Sequence, residues 1–108
     1  MPLYNIVKVT TATTGTGTVT LGSAVSGFLT FAQAGVIDGS TVSYGIIEGT
    51  NREIGRGVYS ASANTMTRAT VLNSTNSNGL ITLAGAAQIY LTPNSKDISN
   101  YATSVIYA

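Results

Sequence analysis

The chain contains no cysteine and no histidine among its 108 residues. Without cysteine there are no disulfides, no thiolate ligands and no cysteine nucleophile, although the redox compartment stays open. Without histidine the chain lacks a common metal ligand and the usual general base near neutral pH. We therefore expect no metal site, no cofactor and no catalysis that depends on either residue.

Charged residues are also scarce. They make up 8% of the chain, with a net charge of +1, against about 25% charged residues in an average soluble domain. Such a weak field gives no indication of nucleic acid or an anionic membrane as a partner. Neutral polar residues must solvate the surface, and they provide little repulsion between copies. Composition alone leaves two interpretations, a member of an assembly and a Thr-rich monomeric β domain.

Long apolar runs are missing as well. No stretch approaches the roughly 20 apolar residues that span a bilayer, and the N-terminus lacks the basic and apolar regions of a signal peptide. We expect a soluble protein made in a cytoplasm. A chain of 108 residues provides for one domain with its own core.

The acidic residues number only four, and their positions argue against an enzyme. General acid and base catalysis needs two carboxyl groups that converge on one cleft. Asp38 lies in a turn, Glu48 and Glu53 flank the tip of a hairpin, and Asp97 lies in the C-terminal tail. These positions predict four solvated charges and no catalytic site.

The most regular part of the sequence is residues 41–72, which predicts a three-stranded antiparallel meander. Val42, Tyr44 and Ile46 alternate with small or polar residues, which is typical of a half-buried strand. Turn-forming residues at 48–51 lead into a second arm, in which Ile54 and Val58 share a face. A second turn at 62–65 leads into a third arm at 66–72.

Four further strands are predicted at residues 3–9, 17–21, 80–83 and 88–92. Residues 28–34 favour one or two helical turns, with Gly35 where a C-cap glycine belongs. The two phenylalanines there, Phe28 and Phe31, are partner anchors or, as we favour, plugs at one end of the core. The predicted fold class is all-β, a small antiparallel sandwich or barrel of about seven strands with one short helical turn.

Residues 1–93 form the predicted β domain, and residues 94–108 differ in character. Alternation in this last segment sets Tyr101, Val105 and Tyr107 on one face. Such a strand is either an arm that pairs with a neighbour's sheet edge or the last strand of its own sheet. Together with Tyr4 near the N-terminus, these residues are candidate partner contacts.

Three arginines are further candidates for partner contacts. Arg52 and Arg56 share a strand face, and the meander places Arg68 across from them. Such a stripe pairs with phosphate or with a partner's carboxylates, or it is a solvated strand face. Arginine is enriched at protein contacts, which favours a role as interface anchors over phosphate binding.

In their order along the chain, these segments resemble a small β domain of tailed-bacteriophage structural proteins, over about residues 6–92. The features that carry the resemblance are Val7-Lys8-Val9-Thr10-Thr11, the Thr- and Gly-rich run 13–21, Gly27-Phe28 with Phe31, Gly35, Asp38-Gly39, Val42-Ser43-Tyr44, Glu53-Ile54-Gly55, Gly57-Val58-Tyr59, Thr67-Arg68, Val71-Leu72, Ser74, Asn76 and Ser77. The chain departs from the family pattern at Asn51-Arg52, where an aromatic residue is expected just before Glu53.

The resemblance implies a virion protein, made in the host cytoplasm, with no enzymatic activity. In that family the domain occurs at the attachment end of tail fibres and spikes and as a free-standing virion protein. Because the sequence ends at Ala108, we expect a short accessory protein, and specifically a capsid decoration or cement protein. Its expected partners are the major capsid protein or other virion proteins and further copies of itself, in a ring such as a trimer.

Two other functions remain open at this point. One is a tail or head-to-tail adaptor onto which fibres dock. The other is a carbohydrate-binding module for host attachment, which needs exposed aromatic rings, with Tyr44, Tyr59 and Tyr90 as the candidates.

Overall fold

The computed structural model describes residues 3–94 and Asp97, and over these residues the predicted all-β class is confirmed. The described part contains nine strands, in a curled antiparallel half-barrel. They are β1 (Lys8–Thr11), β2 (Thr14–Gly15), β3 (Val19–Thr20), β4 (Thr41–Glu48), β5 (Asn51–Ser60), β6 (Thr65–Met66), β7 (Thr70–Ser74), β8 (Leu83–Ala84) and β9 (Ala87–Leu91).

One curled sheet contains most of the strands. Its order is β1-β9-β4-β5-β6-β3, with β7 as a second neighbour of β5, while β2 and β8 form a separate two-stranded ribbon. All the strand ladders are antiparallel. The predicted meander is confirmed as β4, β5 and a third arm, but that arm is divided into β6 and β7. The predicted strand at 80–83 is reduced to β8, and β2 lies in what was predicted to be a connection.

Strand β4 supplies the centre of the core. Val42, Tyr44 and Ile46 are fully buried on its inner face, as their alternation predicts. Its outer face is also covered, because the Tyr90 ring lies over Gly45, where an added Cβ would be 2.2 Å from the ring carbon Cζ. This close approach explains why the middle of a strand contains a glycine.

Strand β5 turns its smallest residues inward. Ile54 and Val58 share a face as predicted, but that face is the outer one, and Val58 is 38% exposed. On the inner face a Cβ on Gly57 would lie 1.9 Å from the Thr67 carbonyl oxygen, and one on Gly55 would lie 2.3 Å from the Thr70 carbonyl oxygen. The two glycines therefore let residues 67–70 cross over the inner side of β5.

The predicted helical turn is a single, well-capped turn. Gln33 N donates to Thr30 Oγ1 at 3.1 Å and Thr30 N donates to Gln33 Oε1 at 3.0 Å, which is a capping box. At the other end Gly35 has a φ of +85°, and Val36 N donates to the Phe31 carbonyl at 3.0 Å. This combination closes the turn in the manner of a Schellman motif and confirms the predicted role of Gly35.

The two phenylalanines lie in different environments. The Phe31 ring is buried, with its centroid 5.2 Å from that of Tyr59, so it plugs the core as predicted. The expectation is wrong for Phe28, which is 38% exposed and lies beneath the Lys8 ammonium, 5.3 Å from its ring centroid. The helical turn begins only at Thr30, so Phe28 precedes it and faces away from the core.

The first strand begins later than its alternation predicts. Ile6 has a φ of +49°, a conformation that β-branched residues rarely adopt. The chain bends there, so Tyr4 packs against the core although Ile6 is 58% exposed. The free edge of β1 is covered by the following loop, since Thr10 N donates to the Ser23 carbonyl at 3.0 Å and Val25 N donates to the Lys8 carbonyl at 2.9 Å.

The close approach at Gly57 leads to a testable prediction. Gly57→Ala forces its Cβ against the Thr67 carbonyl, so either β5 or residues 67–70 must shift. We expect a loss of about 1–3 kcal/mol in the free energy of unfolding, measured by urea denaturation. The matched control is Gly17→Ala, whose Cβ would meet no atom within 4 Å and should change stability by less than about 0.5 kcal/mol. Equal stabilities of the two variants would contradict the packing described here.

Candidate functional site

A buried ion pair lies at the centre of the inner face. Glu53 is 0% exposed and Arg68 is 7% exposed. The Arg68 guanidinium binds the carboxylate in a bidentate manner, with Nε 2.9 Å from Oε2 and Nη2 2.5 Å from Oε1. The Tyr44 hydroxyl donates a further hydrogen bond of 2.6 Å to Oε2. The three side chains, from β4, β5 and the β6–β7 link, form one network.

The same network also binds the backbone of residue 81, which lies outside every strand, and of Gly15 in β2. Ile81 N donates to Glu53 Oε1 at 2.9 Å, and Arg68 Nη2 donates to the Ile81 carbonyl at 2.6 Å. Arg68 Nη1 also donates to the Gly15 carbonyl at 3.3 Å. Because these groups satisfy the backbone of Ile81, residues 80–82 stay close to the core without forming the predicted strand.

The environment of the network shifts two pKa values in opposite directions. Burial by itself raises the pKa of Glu53, but the hydrogen bonds from Arg68, Tyr44 and Ile81 N, with the charge of Arg68, lower it below its usual value. Burial raises the pKa of Tyr44 far above its usual value, and the neighbouring Glu53 carboxylate adds to the effect. The network thus contains a charged carboxylate and a neutral phenol at neutral pH.

Two predictions about these residues are wrong. Glu53 is not a solvated charge at a hairpin tip, and Arg68 does not lie across from Arg52 and Arg56 on an exposed face. Glu53 lies on the inner face of β5, and the glycines at 55 and 57 on that face let the backbone that carries Arg68 approach closely, so that both side chains enter the core. Burial of either charge alone is costly, so the two are buried as a pair.

A second ion pair lies on the opposite, outer face of the sheet. Arg56 Nη2 binds Asp97 Oδ1, and the same carboxylate accepts hydrogen bonds from Ser43 Oγ at 2.5 Å and from Asn94 N at 3.1 Å. Burial by itself raises the pKa of Asp97, but these hydrogen bonds and the Arg56 charge lower it below its usual value. The Asp97 side chain is only 9% exposed, so the prediction of a solvated tail carboxylate is wrong.

The remaining predicted contact residues have different fates. Arg52 and Arg56 do share the outer face of β5, and Arg52 is exposed, with Nη1 donating to the Gly49 and Asn51 carbonyls at 2.6 and 2.9 Å. Tyr4 is half-buried against the core and is not an exposed anchor. The other three candidates lie outside the described residues: Tyr101, Val105 and Tyr107.

The other two carboxylates hold loops in place. Glu48 accepts hydrogen bonds from Ala84 N at 2.8 Å and from Ala86 N at 3.0 Å, and so it orders the connection between β8 and β9. Asp38, which is exposed as predicted, accepts a hydrogen bond of 2.8 Å from Ala61 N. Each of these contacts joins segments that are distant in sequence.

The proposed carbohydrate-binding tyrosines do not form an exposed platform. Tyr44 is 0% exposed and Tyr59 is 2% exposed, so neither ring can stack on a sugar without unfolding its surroundings. Tyr90 is half-buried, with its ring packed over Gly45. These three tyrosines therefore do not provide the exposed platform that the carbohydrate-binding hypothesis requires.

An apolar groove lies on the outer face of the sheet. It encloses about 250 Å³, and its lining includes Ile6, Lys8, Phe28, Ile47, Tyr90 and Thr92. Strand pairing explains the position of its polar and aromatic walls, because Lys8 and Gly45 are both register partners of Tyr90. Sequence analysis missed this groove, since its residues come from segments far apart in the chain. The exposure of Ile6 and Phe28 marks the groove in the structure, but it follows from tertiary contacts and left no signal in the sequence.

The described residues offer few features of other kinds of site. Within them no three side chains of the metal-binding types lie close enough together to hold a metal ion. Along the same part of the chain, no helix has the length and hydrophobicity required to cross a membrane.

Comparison of the chain with protein-family models, with curated proteins and with solved structures finds no match.

The buried network predicts strongly non-additive substitutions. Glu53→Gln leaves the Arg68 charge buried without a counter-charge, and Arg68→Met does the same to Glu53. We expect each to lower the free energy of unfolding by about 3–5 kcal/mol. The double variant Glu53→Gln/Arg68→Met has no buried charge, and it should be more stable than the sum of the two losses indicates. Urea denaturation of all four proteins measures the coupling. Additive losses would mean that the two side chains do not act as a pair.

The outer ion pair predicts a specific dependence of stability on acid. The pKa of Asp97 is lower in the folded protein than its ordinary value of 3.8, so the unfolded state takes up the proton first. The contribution of Asp97 is therefore fully present above that value and is lost as the pH falls through the folded pKa. Glu53 acts in the same direction. We expect Asp97→Asn to flatten the acid limb of a plot of unfolding free energy against pH, and Arg56→Gln to flatten it less, because Ser43 and Asn94 N still bind the carboxylate. An unchanged acid limb in both variants would contradict this.

Proposed function

We propose that this chain is a non-enzymatic structural protein of a tailed-bacteriophage particle, and specifically a decoration protein that binds the major capsid protein. Copies bridge neighbouring capsid subunits and so add buried area that opposes loss of the shell. Any contact made only by the assembled state stabilises that state by mass action. The observation that carries the proposal is the resemblance to the phage domain, and the outer groove supports assembly with another protein surface, that of a second copy included.

The residues that carry the resemblance have structural roles, which supports a shared domain. Tyr44, Glu53 and Arg68 form the buried network, and Gly57 permits the close crossing of residues 67–70. Gly35 closes the helical turn. Short motifs that are unspecific one by one thus belong to one connected core.

The use of the acidic residues supports a role without catalysis. The chain has four carboxylates, and each accepts hydrogen bonds from the protein itself: Asp38 from Ala61 N, Glu48 from Ala84 N, Glu53 from Arg68 and Asp97 from Ser43. A general base must instead reach a proton on a bound substrate. The carboxylates are already used to hold the fold.

The outer face supports binding to another protein surface. The groove is open and largely apolar, its Ile6 and Phe28 walls are exposed, and Lys8 and Arg52 lie on the same side of the sheet. Interface cores combine apolar burial with few charges, and arginine is enriched among the residues that contribute most. A seven-stranded sheet behind the groove keeps its walls in fixed positions, which limits the entropy lost on binding.

A tail or head-to-tail adaptor remains the second candidate. The exposed Arg52 at the β4–β5 hairpin, held by the Gly49 and Asn51 carbonyls, favours it, because a fixed guanidinium at a loop tip suits docking of a fibre carboxylate. The two roles differ in abundance. A decoration protein covers the shell, whereas an adaptor occurs at one vertex of the particle.

The copy number of the chain in purified particles tests the proposal. We expect quantitative mass spectrometry to give a ratio to the major capsid protein near one, or a simple fraction of one. A ratio of a few per cent or less would assign the protein to the neck or tail and overturn the decoration role. Absence of the chain from particles that contain all other structural proteins would overturn the virion assignment as a whole.

A further inference from the structure

One turn presents an apolar side chain to solvent in a fixed position. Ile37 is 70% exposed, which is more than any other large apolar side chain in the described part of the chain. The turn that carries it is held by hydrogen bonds from Ser40 N to the Ile37 carbonyl at 3.0 Å and from Gly39 N to the Tyr59 carbonyl at 2.8 Å. The side chain of the next residue, Asp38, is tied to Ala61 N. We refer to Ile37 and Asp38 as the knob.

The groove has properties that match the knob. Its Ile6 and Phe28 walls are 58% and 38% exposed. The φ of +49° at Ile6 is a strained conformation for a β-branched residue, and such strain persists mainly at functional positions. The groove's volume of about 250 Å³ exceeds that of a single isoleucine side chain, and Lys8 stands at its rim over Phe28.

Charge makes the match specific. Among residues 3–94 and Asp97, the two ion pairs are Arg56–Asp97 and Arg68–Glu53, so neither Lys8 in the groove nor Asp38 in the knob has an ion-pair partner there. The knob has the acidic Asp38 beside an exposed isoleucine, and the apolar groove has the basic Lys8 at its rim. Complementary charge of this kind fixes the orientation of two partners.

We propose that copies of this chain bind one another head to tail, with Ile37 of one copy seated in the groove of the next and Asp38 facing Lys8. Ile37 is not part of the groove lining, so the two surfaces are different and one copy can bind one neighbour through its knob and another through its groove. A heterologous contact closes into a ring when its rotation permits. A groove-to-groove contact is disfavoured, because it brings Lys8 of one copy toward Lys8 of the other.

This inference rests on the proposed function only in taking copies of the chain to be neighbours. The test uses the isolated full chain in solution, so its outcome is separate from that of the copy-number measurement. Sedimentation velocity over a range of concentrations should show that the unmodified chain forms species larger than a dimer, because a reciprocal two-fold pair of the same contacts would stop at a dimer and overturn the head-to-tail arrangement. A chain that stays monomeric at the highest soluble concentration would overturn the inference and leave the virion assignment untouched.

Single substitutions locate the interface. Ile37→Ser removes the apolar anchor of the knob. Ile6→Asn removes one wall of the groove, and asparagine tolerates a positive φ better than isoleucine, so folding should not suffer. Each should raise the dissociation constant at least about tenfold. The control is Val58→Ser, which removes an apolar side chain that is 38% exposed and lies outside both surfaces, and it should leave association unchanged. Equal effects of all three variants would overturn the assignment.

Mixing separates a knob-to-groove contact from a groove-to-groove or a knob-to-knob contact. The Ile37→Ser variant retains an intact groove, and the Ile6→Asn variant retains an intact knob. An equimolar mixture should therefore form a dimer, and nothing larger, under conditions where each variant alone is monomeric. Asp38→Asn keeps the hydrogen bond acceptor for Ala61 N but removes the charge, and it should weaken the dependence of association on salt. A mixture that stays monomeric would contradict the head-to-tail arrangement.

Discussion

The bidentate ion pair between Glu53 and Arg68 is the interaction on which the inner architecture depends. Two charges removed from water are stabilising only if nearly every donor and acceptor is satisfied. Here Tyr44 and the backbone of Ile81 and Gly15 complete the set. The pair therefore fixes the loop around Ile81, which no strand ladder holds, and joins the β2–β8 ribbon to the main sheet. It also explains the glycines of β5, since a bulky side chain at Gly55 or Gly57 would displace the backbone that carries Arg68.

Local sequence patterns predicted the meander and its turns because those features depend on neighbouring residues. Alternation placed Val42, Tyr44 and Ile46 on one buried face, and Gly35 ended the helical turn where its positive φ is needed. The buried pair was not predictable in the same way. A glutamate beside a hairpin tip normally lies in water. The only indication of an inward position was that Glu53 shares a strand face with Gly55 and Gly57, which let other backbone approach that face closely.

The groove escaped prediction for a different physical reason. Apolar residues on a strand do not reveal which face of the sheet they join when both faces carry them. Phe28 lies three residues from Phe31, the spacing of one helical face, yet the turn begins only at Thr30 and the two rings diverge. In a regular strand Ile6 and Tyr4 would lie on the same face, but the positive φ at Ile6 directs the two side chains to different surroundings. Such outcomes follow from tertiary contacts and not from propensity.

The distribution of charge connects the core to the surface. The chain has only five basic and four acidic residues, and Glu53 and Arg68 are used inside the core while Arg56 and Asp97 neutralise each other on the outer face. Few exposed charges remain in the described part, so repulsion between copies is weak and close approach costs little. A remaining charge then has a larger influence on orientation than it would on a highly charged surface. Of the remaining charges, Glu48 and Arg52 lie at the β4–β5 hairpin. Lys8 stands at the groove and Asp38 beside Ile37, so these two charges lie where they can select one docking arrangement from the many that apolar contact alone would allow.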